Sequence, residues 1–125
     1  MNNRRILIVD DEDSYRATIM LALQLEGYSV LGASSGKEAL ELFETGSLLP
    51  ELIILDLNMP VMSGAEFLKN LRTFKDARYS KLPVIIASGE VSIESELTER
   101  VSAVIKKPFE LTALFEKIKA VLVSY

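Results

Sequence analysis

The 125-residue sequence contains no cysteine and no histidine. Without cysteine there is no disulfide framework and no thiolate chemistry. Without histidine, imidazole general bases, histidine-bound metals and an internal phosphohistidine are all excluded. Positive charge is in deficit as well: 14 Lys and Arg stand against 18 Asp and Glu, a net charge of −4. That balance argues against non-specific nucleic-acid binding, which needs a basic face. No apolar run approaches the roughly 20 residues needed to span a bilayer. The opening Met1-Asn2-Asn3-Arg4-Arg5 runs into an apolar stretch too short for a signal peptide, so the cytoplasm is the expected compartment. Low-complexity tracts, repeats and linkers are also missing. The expectation is one domain, 1–125, large enough to bury about two thirds of its unfolded surface.

What is present is an alternation of short apolar runs with helix-period segments, the pattern of βα units on a parallel sheet. Strands are predicted at Ile6–Val9, Tyr28–Ala33, Leu52–Leu55, Val84–Ala87 and Ala103–Ile105. The second carries Ser29 and Gly32 and is expected at a sheet edge. After the first strand, Tyr15, Ile19, Ala22 and Leu23 mark one helical face, with Asp13 or Ser14 as cap and Gly27 as a left-handed stop. Ser35 caps a second helix, whose Leu40 and Phe43 face inward and which Gly46 ends. A third starts at Gly64, with Phe67, Leu68 and Leu71 inside. A short fourth, over Val91–Arg100, has only the Ile93 and Leu97 pair to support it. The last has the fullest stripe: Leu111, Leu114, Phe115, Ile118, Val121 and Leu122. Right-handed crossovers put helices on both faces of such a sheet. A dinucleotide-binding strand order and the flavodoxin-like order 2-1-3-4-5 both remain open.

Polar residues close the strands. Asp10 and Asp11 follow the first, Asp56 the third, Ser88 the fourth and Lys107 the fifth. A strand buried on both faces has no use for a carboxylate, so these acids belong at the carboxyl edge, where open α/β sheets bind ligands. Gathered carboxylates repel one another and are stable at neutral pH with a cation between them. Oxygen-only ligands favour Mg²⁺ over Zn²⁺. Asp10 and Asp11 by themselves could be helix caps, but no helix starts at Asp56, where Met59-Pro60 enforces an extended turn. Acid, acid, hydroxyl and amine at successive strand ends outline a phosphoryl-transfer site, in which catalysis is mostly positioning and charge neutralisation.

Four fragments in order carry a family likeness: Val9-Asp10-Asp11, then Leu55-Asp56-Leu57-Asn58-Met59-Pro60 with Gly64, then Pro83-Val84-Ile85-Ile86-Ala87-Ser88, then Lys107-Pro108-Phe109. On these, the chain resembles a response-regulator receiver domain over essentially its whole length. The resemblance implies the 2-1-3-4-5 order and an Asp56 that accepts a phosphoryl group from a phosphohistidine on a partner histidine kinase or histidine phosphotransfer protein. It implies that Asp11 and Asp56 ligate Mg²⁺ directly, that Asp10 acts largely through water, and that Asn58 supplies its backbone carbonyl. Ser88 would bind a phosphoryl oxygen, Lys107 would pair with it, and the Lys107–Pro108 bond would be cis. With no histidine in the chain, the phosphoryl donor has to be another molecule.

The likeness has gaps. Receivers commonly carry Tyr or Phe where this chain has Val104, and the Ser88–Lys107 span is a few residues short. Both departures fall on the output face and imply ordinary phosphoryl chemistry with an atypical switch. Glu94, Glu96 and Glu99 read as a solvated face, and Phe109 as core. No output domain is expected after Tyr125, so the response would pass to a protein partner, or the chain is a receiver module taken from a larger regulator. A haloacid-dehalogenase-like hydrolase would want an acid at Asn58. A flavodoxin would not set Asp10-Asp11-Glu12-Asp13 where phosphate must sit.

Overall fold

The structure, a computed structural model, describes residues 4–89 and 101–124. Five strands are ordered in it: β1 (Arg5–Val9), β2 (Ser29–Ala33), β3 (Leu52–Leu55), β4 (Val84–Ser88) and β5 (Ala103–Lys106). They form one parallel sheet in the order β2-β1-β3-β4-β5, the flavodoxin-like alternative. The central strands β1, β3 and β4 are the unbroken apolar runs, and all but Arg5 of their residues are buried. β2 lies at an edge as its mixed composition predicts, with alternating exposure along most of its length.

Alternate side chains of each strand face opposite sides and build two cores. Leu7, Val9, Ile53 and Leu55 pack with α2 (Gly36–Glu44), α3 (Gly64–Arg72) and the four-residue α4 (Ala77–Ser80) through Phe43, Phe67, Leu71 and Tyr79. Ile6, Ile8, Leu52 and Ile54 pack with α1 (Asp13–Leu25) and α5 (Leu111–Ser124) through Ile19, Leu23, Leu114 and Ile118. No helix among the described residues is long and apolar enough to cross a membrane.

Helix ends follow their side chains. The Ser35 hydroxyl accepts the Glu38 N–H at 3.1 Å, and Ser63 accepts that of Glu66 at 3.2 Å, each filling a donor that the first turn leaves open. Gly27 and Gly46 take positive φ, 97° and 70°, at the stops of α1 and α2.

Three expectations change. α1 is capped by neither Asp13 nor Ser14: Glu12 is the N-cap, its side chain makes no cap bond, and Asp13 is already helical. Leu111 is 39% exposed, because it sits at the mouth of α5 rather than along its buried stripe. The α4 turn was unforeseen; it is a single turn, too short to show a period, started by Asp76 accepting the Arg78 N–H and anchored by buried Tyr79. The short helix expected over 91–100, with Glu94, Glu96 and Glu99, lies outside the described residues.

Candidate functional site

The parallel register sets the site. Val9 is level with Leu55, and Leu55 with Ile86. The ladder runs one residue beyond the strands: Asp10 N–H donates to the Ala33 carbonyl at 3.1 Å and Asp56 N–H to that of Val9 at 3.0 Å. Lys107 N–H donates to the Ser88 carbonyl at 2.8 Å. Backbone pairing therefore brings Asp10, Asp56, Ser88 and Lys107 to one edge, although 97 residues separate Asp10 from Lys107.

Asp10, Asp56 and Ser88 are 3%, 8% and 1% exposed, while Asp11 faces solvent. One carboxylate oxygen from each of Asp10, Asp11 and Asp56 lies within 4.8 Å of the others. Lys107 Nζ donates to Asp10 Oδ2 at 2.9 Å and stands 3.8 Å from Asp56 Oδ1. The other Asp10 oxygen accepts the Glu12 N–H at 3.0 Å. Burial pushes the Asp56 carboxyl above its ordinary value; Lys107 opposes this, Asp10 reinforces it, the Asn58 N–H opposes it and Asp11 reinforces it. Among the described residues one ammonium faces three carboxylates, and the surplus is negative. An oxygen-only donor set, partly desolvated and under-neutralised, fits a hard divalent cation.

The loop after β3 is shaped by close approach. A Cβ on Gly64 would fall on the Asp56 carbonyl oxygen and within 2.6 Å of Leu57 Cα, so only glycine lets α3 start this near. Gly64 N–H also donates to the Leu57 carbonyl at 2.9 Å. Between them Met62 N–H reaches the Pro60 carbonyl at 2.7 Å across Val61, whose φ of 68° is strained for a β-branched residue. Val61 is 99% exposed on the rim.

Each residue the sequence singled out lies at this edge, Asn58 included: it is exposed and its N–H bonds the Asp56 carboxylate. The Lys107–Pro108 bond is cis. Val104 is half-buried against the α2–α3 core. One participant was missed. Tyr15, read as part of the apolar face of α1, lies with its ring centroid 3.9 Å from Lys107 Nζ and in a T-shaped contact with Phe109, centroids 6.3 Å apart at 85°. Burial, followed by Asp10, Asp56 and Glu12, raises its phenol far above the ordinary range. Helical period alone could not distinguish this place from a core position.

A family model described as response regulator receiver domain matches residues 6–119. The chain is 37% identical over 123 residues to Response regulator RR06 of Streptococcus pneumoniae serotype 2, across 96% of this chain and 54% of that protein. Against the alkaline phosphatase synthesis transcriptional regulatory protein PhoP of Bacillus subtilis it is 33% identical over 131 residues, 96% of this chain and 49% of that one. It thus spans about half the length of these curated relatives. Among solved structures it resembles the response regulator TrrA of Thermotoga maritima, determined in complex with Mg²⁺ and BeF (TM-score 0.81, 34% identity, 94% of this chain and 98% of that one). It also resembles a CheY-like receiver domain from Methanospirillum hungatei (TM-score 0.85, 30% identity, 98% and 96%).

Proposed function

This chain belongs to the response regulator receiver domain family, and from that premise we propose that it is the phosphoacceptor of a two-component or phosphorelay system, with Asp56 taking the phosphoryl group. A carboxylate oxygen of Asp56 attacks the phosphorus of a phosphohistidine on a histidine kinase or histidine phosphotransfer protein. The new O–P bond forms as the P–N bond breaks, and the donor imidazole leaves with the electron pair and picks up a proton. Lys107, already between Asp10 and Asp56, neutralises charge on the transferred oxygens. Ser88, on the neighbouring strand, donates a hydrogen bond to one of them.

Asp11 and Asp56 would hold Mg²⁺ directly, Asp10 through water, and Asn58 by its backbone carbonyl. When bound, the ion neutralises the phosphoryl oxygens and screens the carboxylates from one another. TrrA, whose structure holds Mg²⁺ and BeF, supports a Mg²⁺ site in this fold. The protein is a signalling module acting in the cytoplasm, catalysing its own phosphorylation and dephosphorylation and passing the signal through protein contacts. The observation that carries this reading is the meeting of Asp10, Asp11 and Asp56 beside the amine of Lys107.

Incubation with phosphoramidate and Mg²⁺ is expected to add one phosphoryl mass, stable in acid and labile in base, that Asp56→Asn and chelation both abolish. A wild-type protein that gains no mass, or an adduct that survives in Asp56→Asn, would refute it. A second reading, a receiver module within a longer regulator, is favoured by the length of the curated relatives. Immunoblotting of the native source at the mass of this chain or at about twice that mass decides it.

A further inference from the structure

We propose that Tyr15 is a positioning residue for Lys107, its ring face fixing the ammonium between Asp10 and Asp56 where phosphoryl oxygens arrive. The proposal rests on the phosphoacceptor reading of Asp56 and deepens it. A lysine ammonium rides on a flexible four-carbon stem, and a single bond to Asp10 leaves it free to swing. Here three groups close in on Nζ: Asp10 at 2.9 Å, Asp56 at 3.8 Å and the Tyr15 ring centroid at 3.9 Å. The last distance is well inside the roughly 6 Å reach of a cation–π contact, which strengthens as water is excluded. The Lys107 side chain is only 20% exposed.

The ring is held in turn by a T-shaped contact with Phe109, two residues beyond Lys107, so the β5–α5 loop and the first turn of α1 fix each other. The Tyr15 hydroxyl oxygen is buried and makes no hydrogen bond among the described residues. The ring is therefore not placed by its hydroxyl, and its face is the part that acts. Phenylalanine should replace it; an aliphatic residue of similar bulk should not.

Phosphorylation by phosphoramidate with Mg²⁺, followed by intact mass, tests this in wild type, Tyr15→Phe, Tyr15→Leu and Tyr15→Met, each also combined with Lys107→Gln. Tyr15→Phe is expected within about twofold of wild type and the aliphatic variants roughly tenfold slower. That loss should shrink to under about twofold in the Lys107→Gln background, because the group being positioned is gone. Equal losses in both backgrounds would assign the ring to the fold alone and overturn the proposal, as would a Tyr15→Phe as slow as Tyr15→Leu. Proton NMR supplies a readout independent of phosphorylation. The Lys107 Hε resonances should lie upfield in wild type and Tyr15→Phe and return toward ordinary lysine shifts in Tyr15→Leu. Unshifted wild-type resonances would overturn the contact. A wild type with shifted resonances and no adduct would instead refute the phosphoacceptor reading, and the positioning role with it.

Discussion

Helices α2 and α3 begin alike, and α1 does not. At Ser35 and Ser63 a hydroxyl accepts the N–H three residues on, with a glutamate at that third position. At the β1–α1 corner four acids in a row, Asp10 to Asp13, include no side-chain N-cap for the helix. Asp10 instead accepts the Glu12 N–H with one oxygen and the Lys107 ammonium with the other. Two helix starts use polar atoms to complete the backbone, and one uses them to assemble charge that the fold by itself leaves unbalanced. The first kind of residue should be stabilising and chemically silent. The second should be indispensable to function.

The α3 start joins both kinds, and there the largest effect is expected. Gly64→Ala would drive a methyl onto the Asp56 carbonyl and the Leu57 backbone just after the Ser63 cap. It should cost about 3 kcal/mol in urea denaturation and slow adduct formation at Asp56, since the loop must shift to make room. A cost below about 1 kcal/mol would show that the loop gives way freely and that the cap alone sets this helix start.

Next comes Asp56→Asn, which should remove phosphorylation yet raise stability by about 2 kcal/mol, chiefly by ending the desolvation of a buried carboxylate and secondarily its repulsion by Asp10 and Asp11. The pH dependence carries the sign. A carboxyl whose folded pKa lies above its ordinary 3.8 holds its proton more tightly when folded. Its contribution is full below that ordinary value and is lost as pH rises through the higher folded one. Thermal melts in low Mg²⁺ should therefore show wild type losing stability from about pH 4 upward relative to Asp56→Asn, the gap levelling off once Asp56 is ionised. A gap of the same size at every pH would mean that the substitution acts through packing.

The smallest effect belongs to the ordinary cap. Ser35→Ala should cost about 1 kcal/mol, with adduct formation at Asp56 unchanged within about twofold. If it slowed phosphorylation as much as it lowered stability, the division between the two kinds of helix start would fail.

Much of this was written in local chemistry. Apolar runs led in by Pro50 and Pro83, glycine stops at Gly27 and Gly46, and the serine cap at Ser35 each act over a few residues, so sequence order suffices to read them. The less apolar β2 betrayed its edge position for the same reason. The start of α1 misled because Asp13 and Ser14 are good caps in isolation, whereas the chain between Asp10 and Glu12 is committed to the sheet edge. α4 is a single turn and left no period to find.

From its residues alone, the chain was bound to be an alternating α/β sheet with acids, a hydroxyl and an amine at its carboxyl edge, because strand period and strand termini are short-range properties. Which of those ends become neighbours is a question of register. Only the parallel pairing of β3 between β1 and β4 sets Asp56 beside Asp10. The contact of Tyr15 with Lys107 joins residues 92 positions apart by way of two elements, α1 and the β5–α5 loop, that meet only in the folded molecule. Spacing along a chain does not encode a distance that the packing of separate elements creates.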